Sequence, residues 1–370
     1  MIYLDANATT AASEEVRRAV LAAMQDGFGN PSSVHIRGTN ARQTITNARD
    51  EVCLLIRGAL PEGVTLTSGG TEANNIVLRG IPEAIIVTTS VEHPSVLRPA
   101  EAAAEHRVVP VLVDGRADPQ AIAEALPASG DVIVSVQWAN SETGVIQPVE
   151  DIVTTVRSRR PDVFVHIDAA QAIGRIPVHM DGIDALTFSG HKLHAPQGTG
   201  ALVLGDPEET RLKAQILGGG QEGGRRSGTQ NVPGAVGLGV AFRERAKAFD
   251  EATGALRAMR DAFEAAVLSA VPGMRVNGGS SPRVPNTSNI LFPGIDAMAL
   301  VALLDQRDIA CSVGAACSSG RPEPSHVLLA MGLSEDDAYS SVRFSFSVMN
   351  TMDEALSAAD IIAETVGKMR

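Results

Sequence analysis

Cysteine is scarce in this chain: 370 residues hold only Cys53, Cys311 and Cys317. So small and odd a set makes no disulfide framework. No CxxC or Cys/His spacing suggests a zinc site, so no metal ligand is assigned and a cysteine that matters here matters as a thiol. Basic charge is also short. Lys and Arg number 31 against 43 Asp and Glu, a formal net charge of −12. That balance argues against a direct nucleic-acid surface. The clusters Arg157-Ser158-Arg159-Arg160 and Arg225-Arg226 are short and isolated, and the first reads as a solvated helix end. No apolar run reaches membrane-spanning length, and the opening Met-Ile-Tyr-Leu-Asp has neither a basic nor an apolar leader. The expectation is a cytoplasmic protein that makes no membrane contact. Internal repeats and low-complexity tracts are absent from the sequence as well.

What remains is ordinary globular material, 44% hydrophobic and 20% charged. Its length suits more than one domain. Strand-like runs at 64–67, 84–88, 107–112, 132–136, 163–167, 185–188 and 201–204 alternate with helical patterns such as 72–78, 94–104 and 150–156. Alternation of this kind predicts an α/β fold with a mainly parallel seven-stranded sheet covered by helices, and ligands at the carboxyl ends of its strands. A Gly-rich stretch at 218–228 precedes a long helix-favouring segment reaching about residue 270. A second pattern then reads as a smaller α+β C-terminal domain, with strands at 289–292 and 342–345 and helices at 296–304 and from Met352. The expected division is 12–250 for the large domain, and 1–11 with 251–370 for the small one.

The chemistry concentrates at two of those strand ends. The run Val165-His166-Ile167-Asp168 delivers a carboxylate, and Ala185-Leu186-Thr187-Phe188-Ser189-Gly190-His191-Lys192 delivers an amine. A carboxylate and a lysine at neighbouring strand ends suit pyridoxal 5'-phosphate. The lysine forms a Schiff base, and the acid keeps the pyridine nitrogen protonated so that the ring accepts electrons. Thr67-Ser68-Gly69-Gly70-Thr71-Glu72 follows a strand and opens a helix, a phosphate-type loop without P-loop or GxGxxG spacing. His93 precedes a proline at an expected helix start, where ring stacking and proton shuttling both suit it. Cys317 lies among Gly314-Ala315-Ala316 and Ser318-Ser319-Gly320, small residues that leave a nucleophilic thiol accessible. Arg343, at alternating spacing in 341–345, needs a carboxylate partner if buried. That partner is either the substrate or a neighbouring Asp or Glu.

Together these residues resemble the cysteine desulfurases, within the fold-type-I pyridoxal phosphate family that also holds the class V aminotransferases. The resemblance runs from Leu4-Asp5-Ala6-Asn7 to Ser341-Val342-Arg343-Phe344-Ser345 and includes Glu92-His93, Glu142-Thr143-Gly144 and Arg226-Ser227-Gly228-Thr229. It implies that Lys192 carries the cofactor, Asp168 pairs with the ring nitrogen, Gln171 bonds the ring hydroxyl and His93 stacks on the ring. Gly70, Thr71, Ser189 and His191 would hold the phosphate. Thr229 would reach the phosphate of a second subunit, which implies a homodimer with shared sites. Arg343, with Asn7 and Asn140, would hold the substrate L-cysteine. Cys317 would take its sulfur as a persulfide and pass it to an acceptor or scaffold protein, for iron–sulfur cluster assembly or another thiolation pathway. The alternatives are a selenocysteine lyase or aminotransferase of the same fold, or a non-catalytic binding partner.

Two departures from the family pattern stand out. Gly223 occupies a position where arginine is common. Ser141 replaces an asparagine that would touch the cofactor ring oxygen, and serine is shorter. Ser141→Asn is therefore expected to tighten cofactor binding and shift its absorbance band. Unchanged affinity and spectrum in an equilibrium titration would remove Ser141 from the cofactor contacts.

Overall fold

The computed structural model describes residues 1–314 and 323–370. Cys317 lies outside the described residues. A short strand β1 (Ile2–Tyr3) comes first, followed by β2 (Val64–Thr67), β3 (Ile85–Thr89), β4 (His106–Val109), β5 (Val132–Gln137), β6 (Phe164–Asp168), β7 (Ala185–Ser189) and β8 (Gly200–Leu204). Strands β2 to β8 form one sheet in the order β2-β8-β7-β6-β5-β3-β4. Neighbours among β3 to β7 pair in parallel, whereas β8 runs antiparallel to both β2 and β7. The carboxyl ends of β2, β6 and β7 therefore share one edge of the sheet.

Composition explains the central strands. Every residue of β5, Val-Ile-Val-Ser-Val-Gln, is buried, and β-branched side chains suit a strand covered on both faces. The run expected at 107–112 stops at Val109, because Pro110 has no N–H to extend the ladder. The long helical segment after the Gly-rich stretch is two helices, Val232–Lys247 and Phe249–Ala270. They break at Ala248 (φ −109°, ψ 18°), and Asp250 and Glu251 then favour a fresh helix start.

A second apolar core is built on β9 (Arg275–Val276), β10 (Thr287–Leu291), β11 (Ile309–Ala310) and β12 (Ser341–Ser345). Strands β12, β10 and β9 pair antiparallel, and β1 pairs in parallel with β11. Leu4, Phe263, Phe292, Phe344 and Ile362 meet in this core. The N-terminal segment thus belongs to the same core as the C-terminal helix Met352–Met369, which Thr351 and Glu354 close with a reciprocal capping box.

Strand β2 is an edge, and residues 222–226 cover it. The buried Glu222 carboxylate accepts from the Leu66 N–H at 2.9 Å and pairs with Arg49 at 2.9 Å. Arg225 Nε donates to Thr65 Oγ1 at 2.9 Å. Gly223 has φ +65°, a left-handed conformation in which an arginine side chain would be strained and glycine is not. Among the described residues, no helix is long and apolar enough to cross a membrane.

The second core provides a direct test of packing. Phe263 is fully buried, its ring 5.0 Å from that of Phe344 and 5.3 Å from that of Phe346. Phe263→Ala is expected to cost about 3–5 kcal/mol in urea unfolding. A loss below about 1 kcal/mol would mean that the ring cluster refills the space.

Candidate active site

Asp168 is the last residue of β6, and Lys192 follows β7 by one short turn, Gly190–Lys192. The Asp168 carboxylate is almost fully buried. It accepts from Asn74 Nδ2 at 2.8 Å and from the Ala170 N–H at 2.9 Å. Lys192 Nζ donates to the carbonyls of Asn7 and, at 3.2 Å, Ala8. Burial pushes the Lys192 amine down to about 8; the charges of Arg175 and Arg343 add to this, and Asp168 and Asp5 oppose it. A fraction of Lys192 is therefore uncharged near neutral pH, as a nucleophilic amine requires.

The phosphate-type loop lies on the same sheet edge. Gly70 opens the helix Gly70–Leu78, and Gly69 before it offers no side-chain cap. The Gly70 N–H donates to Ser189 Oγ at 2.7 Å. A Cβ on Gly70 would lie 3.0 Å from that oxygen, so backbone and hydroxyl approach as closely as glycine permits. Thr71 is exposed beside them. His191 Nδ1 meets Thr9 Oγ1 at 3.0 Å, and burial with the Lys192 charge pushes its ring down to about 4. Exposed Thr229 lines a pocket of about 200 Å³ with Thr67, Ser68 and Arg226.

His93 caps the helix Pro94–Glu101, its Nδ1 accepting from the Ser95 N–H at 3.1 Å. That bond assigns the ring proton to Nε2 in the neutral tautomer. Ser95 Oγ lies 2.7 Å from the same Nδ1 and accepts from Asn74 Nδ2 at 2.9 Å. One amide, Asn74, thus bridges Asp168 and the His93 cap. Burial holds the His93 pKa below its usual value; Asp168 opposes this, while Lys192 and His326 reinforce it.

Arg343 is buried and has a neighbouring acid, Asp5, as a carboxylate partner. Arg343 Nη2 bonds Asp5 Oδ1 at 2.7 Å and Nη1 donates to the Ser141 carbonyl at 3.1 Å, while Nε is buried without a partner. Asn7 spends both amide hydrogens on Ser141 O and Thr287 Oγ1, at 3.0 and 2.9 Å. Asn140 is a turn residue, its Oδ1 accepting the N–H groups of Glu142 and Thr143. Gln171 Nε2 donates to the Asn7 carbonyl at 3.2 Å. Cys53 and Cys311 are half-buried, and burial pushes their thiols up to about 11 and 12, which suits neither to nucleophilic work.

Sequence reasoning missed Asn74, Asp5 and Arg175. Asn74 carried the clearest signal, a polar residue one turn into a helix that otherwise buries Ala73, Ile76 and Val77.

A mostly parallel sheet that presents a lysine, an acid and a glycine-rich helix start along one edge is the architecture of the fold-type-I pyridoxal phosphate enzymes. The chain belongs to the class V aminotransferase family, whose model matches residues 2–356. A cysteine desulfurase of Sinorhizobium fredii is 40% identical over the whole of this chain and 97% of its own length. One from Trichormus azollae is 38% identical, over the whole chain and 94% of its own. A solved NifS-like protein superposes with a TM-score of 0.91 at 30% identity, covering 99% of both chains.

Glu92, beside His93, supplies a pH test. It is fully buried, Thr89 Oγ1 donates to one carboxyl oxygen at 2.6 Å, and the other has no partner. Burial pushes its pKa up to about 8. Between about pH 4.5 and 8 the folded state holds a proton that the unfolded state has released, so this group's contribution to stability falls as pH rises. Glu92→Gln is expected to gain stability relative to the parent across that window. A constant difference between the two at about pH 5 and pH 8 would show Glu92 ionised in the fold.

Proposed function

We propose that the chain is a cysteine desulfurase that converts L-cysteine to L-alanine and passes the sulfur, as a persulfide on Cys317, to an acceptor protein. The observation that carries this reading is the placement of Lys192 and Asp168 at adjacent strand ends, with the unsatisfied Arg343 Nε in the hydrogen-bond network that reaches Lys192 through Ser141 and Asn7.

The residues present fit pyridoxal phosphate. A Cβ on Gly70 would sit 3.0 Å from Ser189 Oγ, so the backbone approaches that hydroxyl closely, and the uncapped helix start suits an anion. Gly70, Thr71, Ser189 and His191 would hold the phosphate, Asp168 the ring nitrogen, Gln171 and Ser141 the ring-oxygen side, and His93 the ring face. When bound, the cofactor supplies an electron sink for the pair left at the substrate α-carbon.

Lys192, partly uncharged, would hold the cofactor and move the α-proton. Asn74 fixes the Asp168 carboxyl group, which would face the ring nitrogen. Asp5 orients Arg343, whose remaining donor suits the substrate carboxylate, with Asn7 and Asn140 shaping that end. His93, neutral with its proton on Nε2, is placed for proton transfer. The Cys317 thiolate attacks the substrate sulfur. The substrate C–S bond breaks, an S–S bond forms on Cys317, and the substrate carbon takes up a proton to leave as alanine. The sum is cysteine plus thiol giving alanine plus persulfide.

We assign residues 12–250 to the cofactor-binding part, and 1–11 with 251–370 to the part that carries Cys317. The reading includes a cytoplasmic homodimer, supported by exposed Thr229 on a segment that Arg226 ties to Glu72 at 2.6 Å. Glu72 in turn accepts the Ser68 N–H at 3.0 Å.

The test is alanine formed from L-cysteine under a thiol reductant. The parent is expected to turn over, and Cys317→Ala to lose alanine formation by at least about 100-fold, the scale of a missing nucleophile. Full alanine output from Cys317→Ala would remove it as nucleophile. A purified protein that binds no pyridoxal phosphate would overturn the whole reading.

A further inference from the structure

Arg175 is a buried cation with no counter-ion. Its side chain is 5% exposed, and among the described residues no carboxylate lies within ion-pair distance of it. Both of its side-chain hydrogen bonds go to one residue: Nη1 donates to the Gln171 carbonyl at 3.2 Å and to Gln171 Oε1. An unpaired guanidinium in a protein interior costs several kcal/mol, and an apolar side chain would cost less. Burial and the charges of Arg245 and Arg343 push Arg175 down to about 9, so it stays charged at neutral pH.

The position of this charge matters. Gln171 is anchored by Arg175 through Oε1 and donates through Nε2 to the Asn7 carbonyl. Lys192 Nζ donates to that same carbonyl. Two hydrogen bonds therefore connect the guanidinium to the acceptor on which Lys192 rests. Arg175 on Oε1 polarises the amide and makes Nε2–H the stronger competitor for that acceptor. Six charged or titratable groups face Lys192: Arg175, Arg343, Asp168, Asp5, His93 and His191. Of the two arginines, Arg343 is offset by Asp5 at 2.7 Å, whereas Arg175 is offset by nothing among the described residues.

We infer that Arg175 is a positioning residue of the lysine site: its unpaired guanidinium, anchored on Gln171, orients the Gln171 amide against the Asn7 carbonyl and adds to burial in disfavouring the charged form of Lys192. The inference rests on the proposed function for its use, since an uncharged Lys192 serves cofactor attachment. The charge state of the free amine is a property of the cofactor-free chain.

The experiment is a pH titration of Lys192 in the cofactor-free full-length chain. Formaldehyde with cyanoborohydride methylates uncharged amines, and mass spectrometry of the Lys192 peptide gives the midpoint. The parent is expected to titrate near 8. Arg175→Met should move the midpoint up by about one unit, towards an ordinary lysine. Gln171→Glu should also move it up, because a carboxylate on Arg175 offsets its field while leaving the buried cation paired. If Arg175→Met does not fold by circular dichroism, Arg175→Gln decides the matter, because it removes the charge and keeps a donor for Gln171 Oε1, whereas Gln171→Glu adds a negative charge of its own near Lys192. A purely structural role for Arg175 would lower the melting temperature and leave the Lys192 midpoint in place. Parent-like midpoints in the folded variants overturn the inference. Failure of the parent to bind pyridoxal phosphate would sink the proposed function without touching these midpoints.

Discussion

The arrangement of the site depends on one backbone carbonyl, that of Asn7. It accepts from Lys192 and from Gln171, while the Asn7 amide ties the same residue to Ser141, Thr287 and Asn286. Leu4, three residues earlier, is buried in the second apolar core, and Thr10 bonds the His191 carbonyl through both its N–H and its hydroxyl, at 2.9 and 2.8 Å. Residues 4–10 therefore act as a strap. One end is fixed by hydrophobic burial, and the other meets the lysine that the central sheet delivers. A backbone acceptor cannot be lost by substitution, which makes it a durable fixed point for a mobile amine.

Charge around that point is arranged by pairing some groups and leaving others alone. Arg343 has Asp5, and Asp168 has Asn74 and the Ala170 N–H. Glu92 has a threonine hydroxyl but, among the described residues, no cation beside it, and burial holds its proton. In a low-dielectric interior, the unpaired groups set the local potential and the paired ones set geometry.

Much of this was legible in the sequence because strands and their ends are local features. The apolar runs before Asp168 and Lys192, the glycines after β2 and the proline after His93 each announce themselves within a few residues. What stayed hidden depends on distant pairing. Asn74 meets Asp168 across 94 positions, and Asp5 meets Arg343 across 338. No periodicity encodes such contacts. Arg343 was readable as an arginine in need of a carboxylate, but which carboxylate required the fold. The break within the helix-favouring segment stayed hidden for a different reason: nothing in the composition near Ala248 marks it except the acids that follow.

Glu222 carries a consequence for how the chain assembles in time. Its carboxylate occupies an N–H on the exposed edge of β2, and 156 positions separate it from Leu66. Until residue 222 has been synthesised and folded back, that edge is an open template for a strand from any neighbouring chain. The nascent or refolding protein is therefore most vulnerable to intermolecular pairing before this late segment arrives, although the finished molecule hides the hazard.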